Sequence, residues 1–222
     1  MPFSGSLLLA ARGVCLRTIF RRVKLSITIF VFGVRYGIWQ HIHDEIYTKA
    51  RQAEGREPKA SAAAIDSQSV KAVALRGEHG VDVFKQTRGI KRHLLVDSLD
   101  FIIALAVTNA SVPRREGAAL LFSKIVGICQ RLTIIWADGG YRGKLLDWVK
   151  EHFSWTLEIV LRSDKSKGFV VLPKRWIVER TNAWLGQSRR LNRQYEVLHQ
   201  TYEVFVYIAM TRLILRRLDK AD

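Results

Sequence analysis

A short apolar run that ends in an acid and two glycines is the feature that most restricts how this 222-residue chain can fold. LTIIWAD (132–138) has the pattern of a buried strand, GKLLDWVKEHF (143–153) that of a helix, and TLEIVLR (156–162) that of a second strand. Asp138 ends the first strand directly before two glycines, at the sheet edge where α/β proteins usually hold their ligands. An Asp in this setting is also a common turn former, so a purely structural role stays open.

The rest of the chain predicts a mixed sheet covered by helices. A strand is expected at 62–70, and IKRHLLVDS and FIIALAVTN predict a hairpin that follows a polar, glycine-containing loop at 75–89. Predicted helices span 37–52, 113–126, 143–153, 173–188 and 200–218. The order from residue 62 is therefore β, β, β, α, β, α, β, α. Hairpin strands that lead into alternating helices and strands predict an α/β fold that is not a regular βαβ array.

Two further acids stand in settings comparable to that of Asp138. Asp66 lies in AAAIDSQSV, a predicted inner strand, where a charge is costly unless it is paired or metal-bound. Glu179 follows Arg175 by four residues in a predicted helix, so an exposed ion pair is the alternative interpretation. Three converging carboxylates would suit Mg²⁺, and two such ions can activate an attacking oxygen and stabilise a leaving one. Spacing alone does not establish that the three converge.

Other titratable residues are expected to be structural. Asp97 could also point inward from its hairpin strand, but it adjoins a turn, and Asp147 and Glu158 are predicted to face solvent beside Lys or Arg. A single His in a strand, such as His93, is more often a structural group than a catalyst. The sequence contains no evident Ser-His-Asp, Cys-His, HExxH or phosphate-binding glycine-loop pattern.

The charge balance indicates the class of partner. The chain has 36 Lys and Arg residues against 20 Asp and Glu residues, a net charge of +16. Such an excess favours a polyanion, with nucleic acid the first candidate and an anionic membrane surface the second. No membrane span is expected, because 25–34 is too short and Arg212 interrupts 204–215. Two widely separated cysteines suit a reducing cytoplasm.

Five ordered strings carry a resemblance to a known family: IDSQSVK (65–71), KRHLLVD (91–97), WADGGYRGK (136–144), RSDKSKGFVVLPKRWIVERTNAWL (162–185) and IAMTRLILRRL (208–218). They closely resemble DDE transposases of bacterial insertion sequences, in the IS-five group of the IS-four-like superfamily. The resemblance implies a ribonuclease H-like mixed sheet flanked by helices, with a short helical N-terminal region. It also implies that the chain uses Mg²⁺, or Mn²⁺ in its place, to cut DNA at element ends and to transfer the cut strands into target DNA. Matched motif by motif, Asp66, Asp138 and Glu179 become the catalytic, metal-binding carboxylates.

The implied partner is double-stranded DNA, both the terminal inverted repeats and the target. The resemblance further implies a homodimer on DNA, in the cytoplasm and associated with the nucleoid. The basic residues expected to contact DNA are Arg175, Arg180, Arg189, Arg190, Arg193, Lys71, Lys91 and Arg92. Trp176 and Trp184 could stack on a splayed base, but their helix pattern favours the core.

The sequence around the third acid departs from the family signature of Tyr, Arg, Glu and Lys. Arg175 and Glu179 match, whereas Leu172 and Gly186 replace the Tyr and the Lys. An Arg about one turn further on, at 189 or 190, is the candidate for the missing basic role.

The domain organisation predicted from these patterns has three parts. Residues 61–218 form the catalytic domain, and 37–60 form a helical remnant of a DNA-binding region with its linker. Residues 1–36 are atypical, and our hypothesis is a frame-shifted or degenerate segment. Two rival functions stay open: a metal-dependent nuclease of the same fold, and an inactive relic that binds DNA non-specifically.

Overall fold

The computed structural model describes residues 24–73, 76–161 and 174–219. The chain divides into two compact units, Met1–Trp39 and Gln40–Asp222. In the first unit, residues 24–35 belong to helix α1, and the indole Nε1 of Trp39 donates to the Phe30 carbonyl at 3.4 Å. The sequence interpretations of residues 1–23, Leu172 and Pro173 lie outside the described residues.

The second unit is built on one six-stranded sheet. Its strands are β1 (Ala62–Lys71), β2 (Gly80–Asp82), β3 (Thr87–Asp97), β4 (Ile102–Asn109), β5 (Ile134–Ala137) and β6 (Thr156–Ile159). The order is β2-β3-β1-β5-β6, and β4 also pairs with β3. β3 is antiparallel to β1, β2 and β4, whereas β5 is parallel to β1 and β6. β1 therefore separates an antiparallel half of the sheet from a parallel half.

Side chains of β1 alternate between two hydrophobic cores, one on each face of the sheet. Ala64 joins the core that contains Val178, and the next residue, Ile65, joins the core that contains Leu121. Because both faces are covered, the central strands are apolar over long runs instead of alternating strictly with polar residues. This double burial is what makes an acid in β1 unusual.

The helices that follow α1 cover the two faces of the sheet. They are α2 (Ile38–Ala53), α3 (Arg114–Ile125), α4 (Lys144–His152), α5 (Trp176–Gln187) and α6 (His199–Leu218), with 3-10 turns η1 (Gly139–Tyr141) and η2 (Arg189–Leu191). Residues of α2, α5 and α6 contribute to the core of Val178, and residues of α3 and α4 to that of Leu121. Among the described residues, no helix combines the length and the apolar character needed to cross a membrane.

The predicted mixed sheet covered by helices is confirmed, including the hairpin of β3 and β4 and the helices after it. Pro113 directly precedes α3, and Glu116 lies in its first turn, as helix N-termini prefer. One strand differs from expectation, since β2 lies inside the loop predicted at 75–89. Three residues carry too little periodicity for a sequence pattern to distinguish them from a loop.

Candidate active site

The parallel pairing of β1 and β5 places Asp66 and Asp138 next to each other. The last aligned pair is Ala64 with Trp136, and each aspartate follows its member of that pair by two residues. Because side chains alternate with a period of two, both aspartates lie on the same face as Ala64 and Trp136. This is the face that α5 covers.

Local contacts fix the orientation of Asp138. Its Oδ1 accepts from the Gly140 backbone N–H at 2.8 Å, so it caps the 3-10 turn η1. Its Oδ2 accepts from Arg114 Nη1 at 2.7 Å. A Cβ at position 140 would lie 3.0 Å from Asp138 Oδ1 and 3.1 Å from Arg114 Nη1, so a side chain there would crowd both groups. The aspartate thus forms a turn, as the alternative interpretation expected, and also faces Asp66.

Asp66 is half-buried and accepts a hydrogen bond from Asn182 Nδ2 at 3.1 Å. Burial raises the pKa of the Asp66 carboxyl, and the neighbouring charge of Asp138 raises it further. A hydrogen bond from the backbone N–H of Ser67 lowers this pKa and offsets part of the rise. Burial and the same two carboxylates raise the pKa of the nearby Tyr141 hydroxyl. The pair therefore concentrates negative charge in a partly desolvated place, which favours a bound cation or a proton.

One face of α5 carries the residues that meet this pair. Arg175, Glu179 and Asn182 follow one another at spacings of four and three residues, and so they share that face. Arg175 Nη2 lies 3.2 Å from Glu179 Oε1 and 4.0 Å from Asp138 Oδ2. The guanidinium of Arg175 therefore bridges the second and third predicted carboxylates, and the Glu179 side chain is 50% exposed.

The carboxylates partly fit a divalent ion. Among the described residues, no three His, Cys, Asp or Glu side chains are close enough together to hold a metal. Asp66 and Asp138 offer adjacent hard oxygen ligands of the kind that Mg²⁺ prefers. Glu179 would complete the set only after its side chain leaves Arg175.

The predicted DNA-contacting residues fall into three groups. Lys71, Arg189 and Arg193 are exposed. Arg175 and Arg180 are partly buried and paired with acids, and exposed Arg190 pairs with Glu196 at 2.9 Å. Lys91 and Arg92 are buried.

Lys91 and Arg92 are both buried, although Lys91 lines part of a groove beside Arg114 and Arg92 lines part of a groove beside Lys71. Arg92 is 1% exposed, and its guanidinium donates to Gln68 and to the Asn182 carbonyl (3.3 Å). Lys91 Nζ donates to the Val112 carbonyl at 2.8 Å. Both basic groups bind neighbouring elements inside the fold. Arg92 therefore contacts the backbone of Asn182, whose side chain contacts Asp66.

The two tryptophans of α5 also differ from the core role expected of them. Trp176 is exposed and Trp184 is partly buried, and the Arg180 guanidinium lies over both rings, at 4.1 and 5.1 Å from their centroids. The same guanidinium pairs with buried Asp100 in the turn between β3 and β4. This arrangement anchors α5 to that turn.

Sequence reasoning missed Arg114, Asn182 and Tyr141. Asn182 could have been found as a polar residue one turn after Glu179 on the same helix face. Arg114 had only a weak signal, its place directly after Pro113 at the start of α3. Tyr141 had none beyond its position after two glycines.

The central part of the chain is similar to known transposases. Residues 57–214 match the model of the family described as "Transposase DDE domain". A Burkholderia cepacia protein named "Putative transposase for insertion sequence element IS402" is 27% identical over 146 residues. That alignment covers 60% of this chain and 66% of the relative, so the chain spans just under two thirds of the relative's length.

Similar solved structures include the catalytic core domain of BIV integrase, with 10% identity, coverage of 69% of this chain and 83% of that chain, and a TM-score of 0.44. The simian T-cell lymphotropic virus intasome in complex with PP2A regulatory subunit B56 gamma has 15% identity, 68% and 47% coverage, and a TM-score of 0.41. A piggyBac transposase synaptic complex with hairpin DNA has 12% identity, coverage of 76% of this chain and 56% of that chain, and a TM-score of 0.33. The family match and the observed strand order agree with the predicted fold class, a ribonuclease H-like mixed sheet flanked by helices.

Proposed function

Because the chain belongs to the Transposase DDE domain family, we propose that it cuts double-stranded DNA at insertion-sequence ends and joins the ends to target DNA. The observation that carries the proposal is the adjacent, same-face placement of Asp66 and Asp138 at the strand pairing of β1 and β5. Phosphoryl transfer asks little covalent chemistry of a protein, because positioning and charge stabilisation supply most of the catalysis.

Asp66, Asp138 and Glu179 are the residues that would hold Mg²⁺, with Mn²⁺ as a substitute. A bound ion supplies Lewis-acid activation of the attacking oxygen and stabilises the leaving one. The chain's own contribution is to fix the two aspartates beforehand. Asn182 holds Asp66, and the Gly140 N–H and Arg114 hold Asp138, so neither side chain has to be ordered when DNA binds.

Arg175 has a separate role in the proposal. In the described arrangement its guanidinium neutralises Glu179 and lies near Asp138. A DNA phosphate is a stronger bidentate partner for guanidinium than an exposed carboxylate. Arg175 therefore transfers to the DNA backbone on binding, and Glu179 becomes free to join the two aspartates.

The proposed path of the DNA backbone follows the exposed basic residues near the end of β1. Lys71 and Arg193 line one groove of about 320 Å³, and the backbone of Gln194 pairs with Lys71 at 2.9 Å. Exposed Arg189 follows α5. The catalytic domain of 61–218, a homodimer that holds two DNA ends, and a cytoplasmic, nucleoid-associated location are part of the same proposal.

The test is cleavage and joining of a labelled duplex that carries the element's own ends, with Mg²⁺ or Mn²⁺. Wild type is compared with Asp138→Asn and with Asp147→Asn, which removes an exposed carboxylate from α4. We expect joined products from wild type and Asp147→Asn and none from Asp138→Asn.

Other outcomes would point to the rival functions. Cleavage without joined products, even with pre-cut ends, would replace the proposal with a metal-dependent nuclease. Binding without cleavage by all three proteins would indicate an inactive relic. In that case affinity should fall steeply with salt and be indifferent to the DNA sequence.

A further inference from the structure

The turn between β2 and β3 exposes an apolar tip. Phe84 is 101% exposed, and Val83 beside it is 78% exposed. Burying a side chain of this size is among the larger gains available to a folding chain, and the fold leaves this one entirely in water. An exposed aromatic at a hairpin tip is therefore available for a ligand.

The tip is held in place by its own hydrogen bonds. Buried Asp82 accepts from the Lys85 backbone N–H at 3.2 Å and from Ser69 Oγ at 2.6 Å. Thr87 Oγ1 donates to the Lys85 carbonyl at 3.0 Å. These contacts tie the turn to β1 and β3, so Phe84 is presented from an ordered hairpin.

The tip lies beside the candidate active site. Lys85 Nζ donates to the Ser67 carbonyl at 3.5 Å, and Ser67 directly follows Asp66. Phe84 also lines an open groove of about 470 Å³ together with Arg114 and Gly140. Both of these last residues contact Asp138. The groove therefore extends from the aromatic ring to two residues that hold Asp138.

The groove combines an apolar wall with a basic wall. The apolar wall consists of Val81, Val83 and Phe84. The basic wall includes Arg114 and exposed Arg115. An aromatic face beside guanidinium groups is the chemistry that proteins use for unpaired nucleotides, since the ring stacks on a base and the guanidinium contacts phosphate. We propose that Phe84 stacks on a base displaced from the DNA duplex next to the scissile phosphate, with Arg115 on the adjoining backbone.

This inference rests on the proposed DNA-cutting function, and charge favours DNA over a second copy of the chain as the occupant. Among the described residues that line the groove, the one acid is Asp82, which is buried and lies 3.3 Å from Lys91 Nζ. The exposed charge of the groove is therefore positive. In the absence of DNA, a chain of net charge +16 repels its own copies, whereas the same field attracts a phosphate backbone.

The experiment measures equilibrium binding of the full chain, in EDTA, to two fluorescent duplexes of one sequence. One is fully paired, and the other has a single unpaired 2-aminopurine, whose emission falls when it stacks. Phe84→Ala should weaken binding of the unpaired probe about tenfold, in the range typical of one lost base–aromatic stack, and leave the paired probe almost unchanged. Phe84→Trp should preserve both affinity and quenching, and Val83→Ala is the matched control for lost apolar area.

The results separate this inference from the function on which it rests. If wild type binds neither duplex at low salt, both ideas are overturned. If wild type binds DNA but Phe84→Ala weakens the two probes equally, or leaves the quenching intact, only the stacking role is overturned. A sedimentation shift from dimer to monomer in Phe84→Ala, with unchanged discrimination between probes, would make the tip a protein contact instead.

Discussion

Replacing Arg51 with Met should destabilise the protein strongly, although neither Arg51 nor its partner Asp97 is one of the acids of the candidate site. The Arg51 guanidinium pairs with Asp97, and their side chains are only 6% and 0% exposed. Arg51 Nε also donates to the Glu57 carbonyl at 2.8 Å. Methionine fills a similar volume but leaves the Asp97 carboxylate buried without its cation.

The expected loss follows from that burial. Removing one partner of a buried ion pair typically costs about 3–5 kcal/mol, because the other charge stays desolvated. For a chain of this size, each kcal/mol lowers the melting temperature by roughly 2–4 °C, so a drop of about 6–20 °C is expected. Arg131→Met is the control, since Arg131 pairs with Glu57 at 2.7 Å with side chains 49% and 66% exposed. Breaking an exposed pair should cost about 0–1 kcal/mol.

The pH dependence of the loss identifies its cause. Burial raises the pKa of the Asp97 carboxyl, and Arg51 is the main group that opposes the rise. Without Arg51 the folded-state pKa rises further above the unfolded value of about 3.9. A carboxyl shifted in this direction loses its contribution to stability as pH increases through the folded pKa. The deficit of Arg51→Met relative to wild type should therefore be small near pH 4 and full at neutral pH.

The assay is urea unfolding of both variants and wild type at several pH values, followed by circular dichroism. Equal losses for the two Arg variants would refute the argument from burial. A deficit that does not depend on pH would show that the cost comes from lost packing and not from the stranded Asp97 carboxylate.

Two further predictions concern packing and DNA contact. Gly117→Ala should lower stability by about 1–3 kcal/mol in thermal unfolding, because its Cβ would lie 2.0 Å from the buried ring of His93. Gly186→Ala is the control: its Cβ would meet nothing within 4 Å, so the variant should gain up to about 1 kcal/mol of stability. Arg193→Ala should reduce the slope of log affinity against log salt by about 0.9 in DNA titrations, because one phosphate contact is lost. Arg92→Ala should instead lower stability and leave that slope unchanged, and a reduced slope would contradict its placement inside the fold.

The buried position of Arg92 was predictable in part from the sequence. Residues 90, 94 and 96 of β3 share its side of the strand and are Ile, Leu and Val, so the period of two already placed position 92 in a core. Its positive charge suggested a surface role that this pattern contradicts. Burial of the Arg92 guanidinium is tolerable because it donates hydrogen bonds to Gln68 and to the Asn182 carbonyl. These residues lie far from Arg92 in sequence, so no local pattern reveals the contacts.

The placement of the two aspartates shows the same division between local and tertiary information. The strands that carry Asp66 and Asp138 were predictable from apolar runs. Their parallel alignment was not, because the pairing of Ala64 with Trp136 depends on how α3 leads the chain from β4 to β5. The role of Asp138 in capping η1 follows from Asp-Gly-Gly alone, whereas its contact with Arg114 required the fold.

The parallel pairing of β1 with β5 also determines when the site can exist during synthesis. A chain that is still growing can complete the antiparallel half of the sheet, β1 with β3 and β4, well before residue 134 is made. Until then the edge of β1 next to Asp66 is unpaired and open to other chains. Asp138 arrives only with β5, and α5 with Glu179 arrives later still. An unfinished chain therefore carries the first acid on an open strand edge, and the proposed three-acid site can form only after α5 has been made.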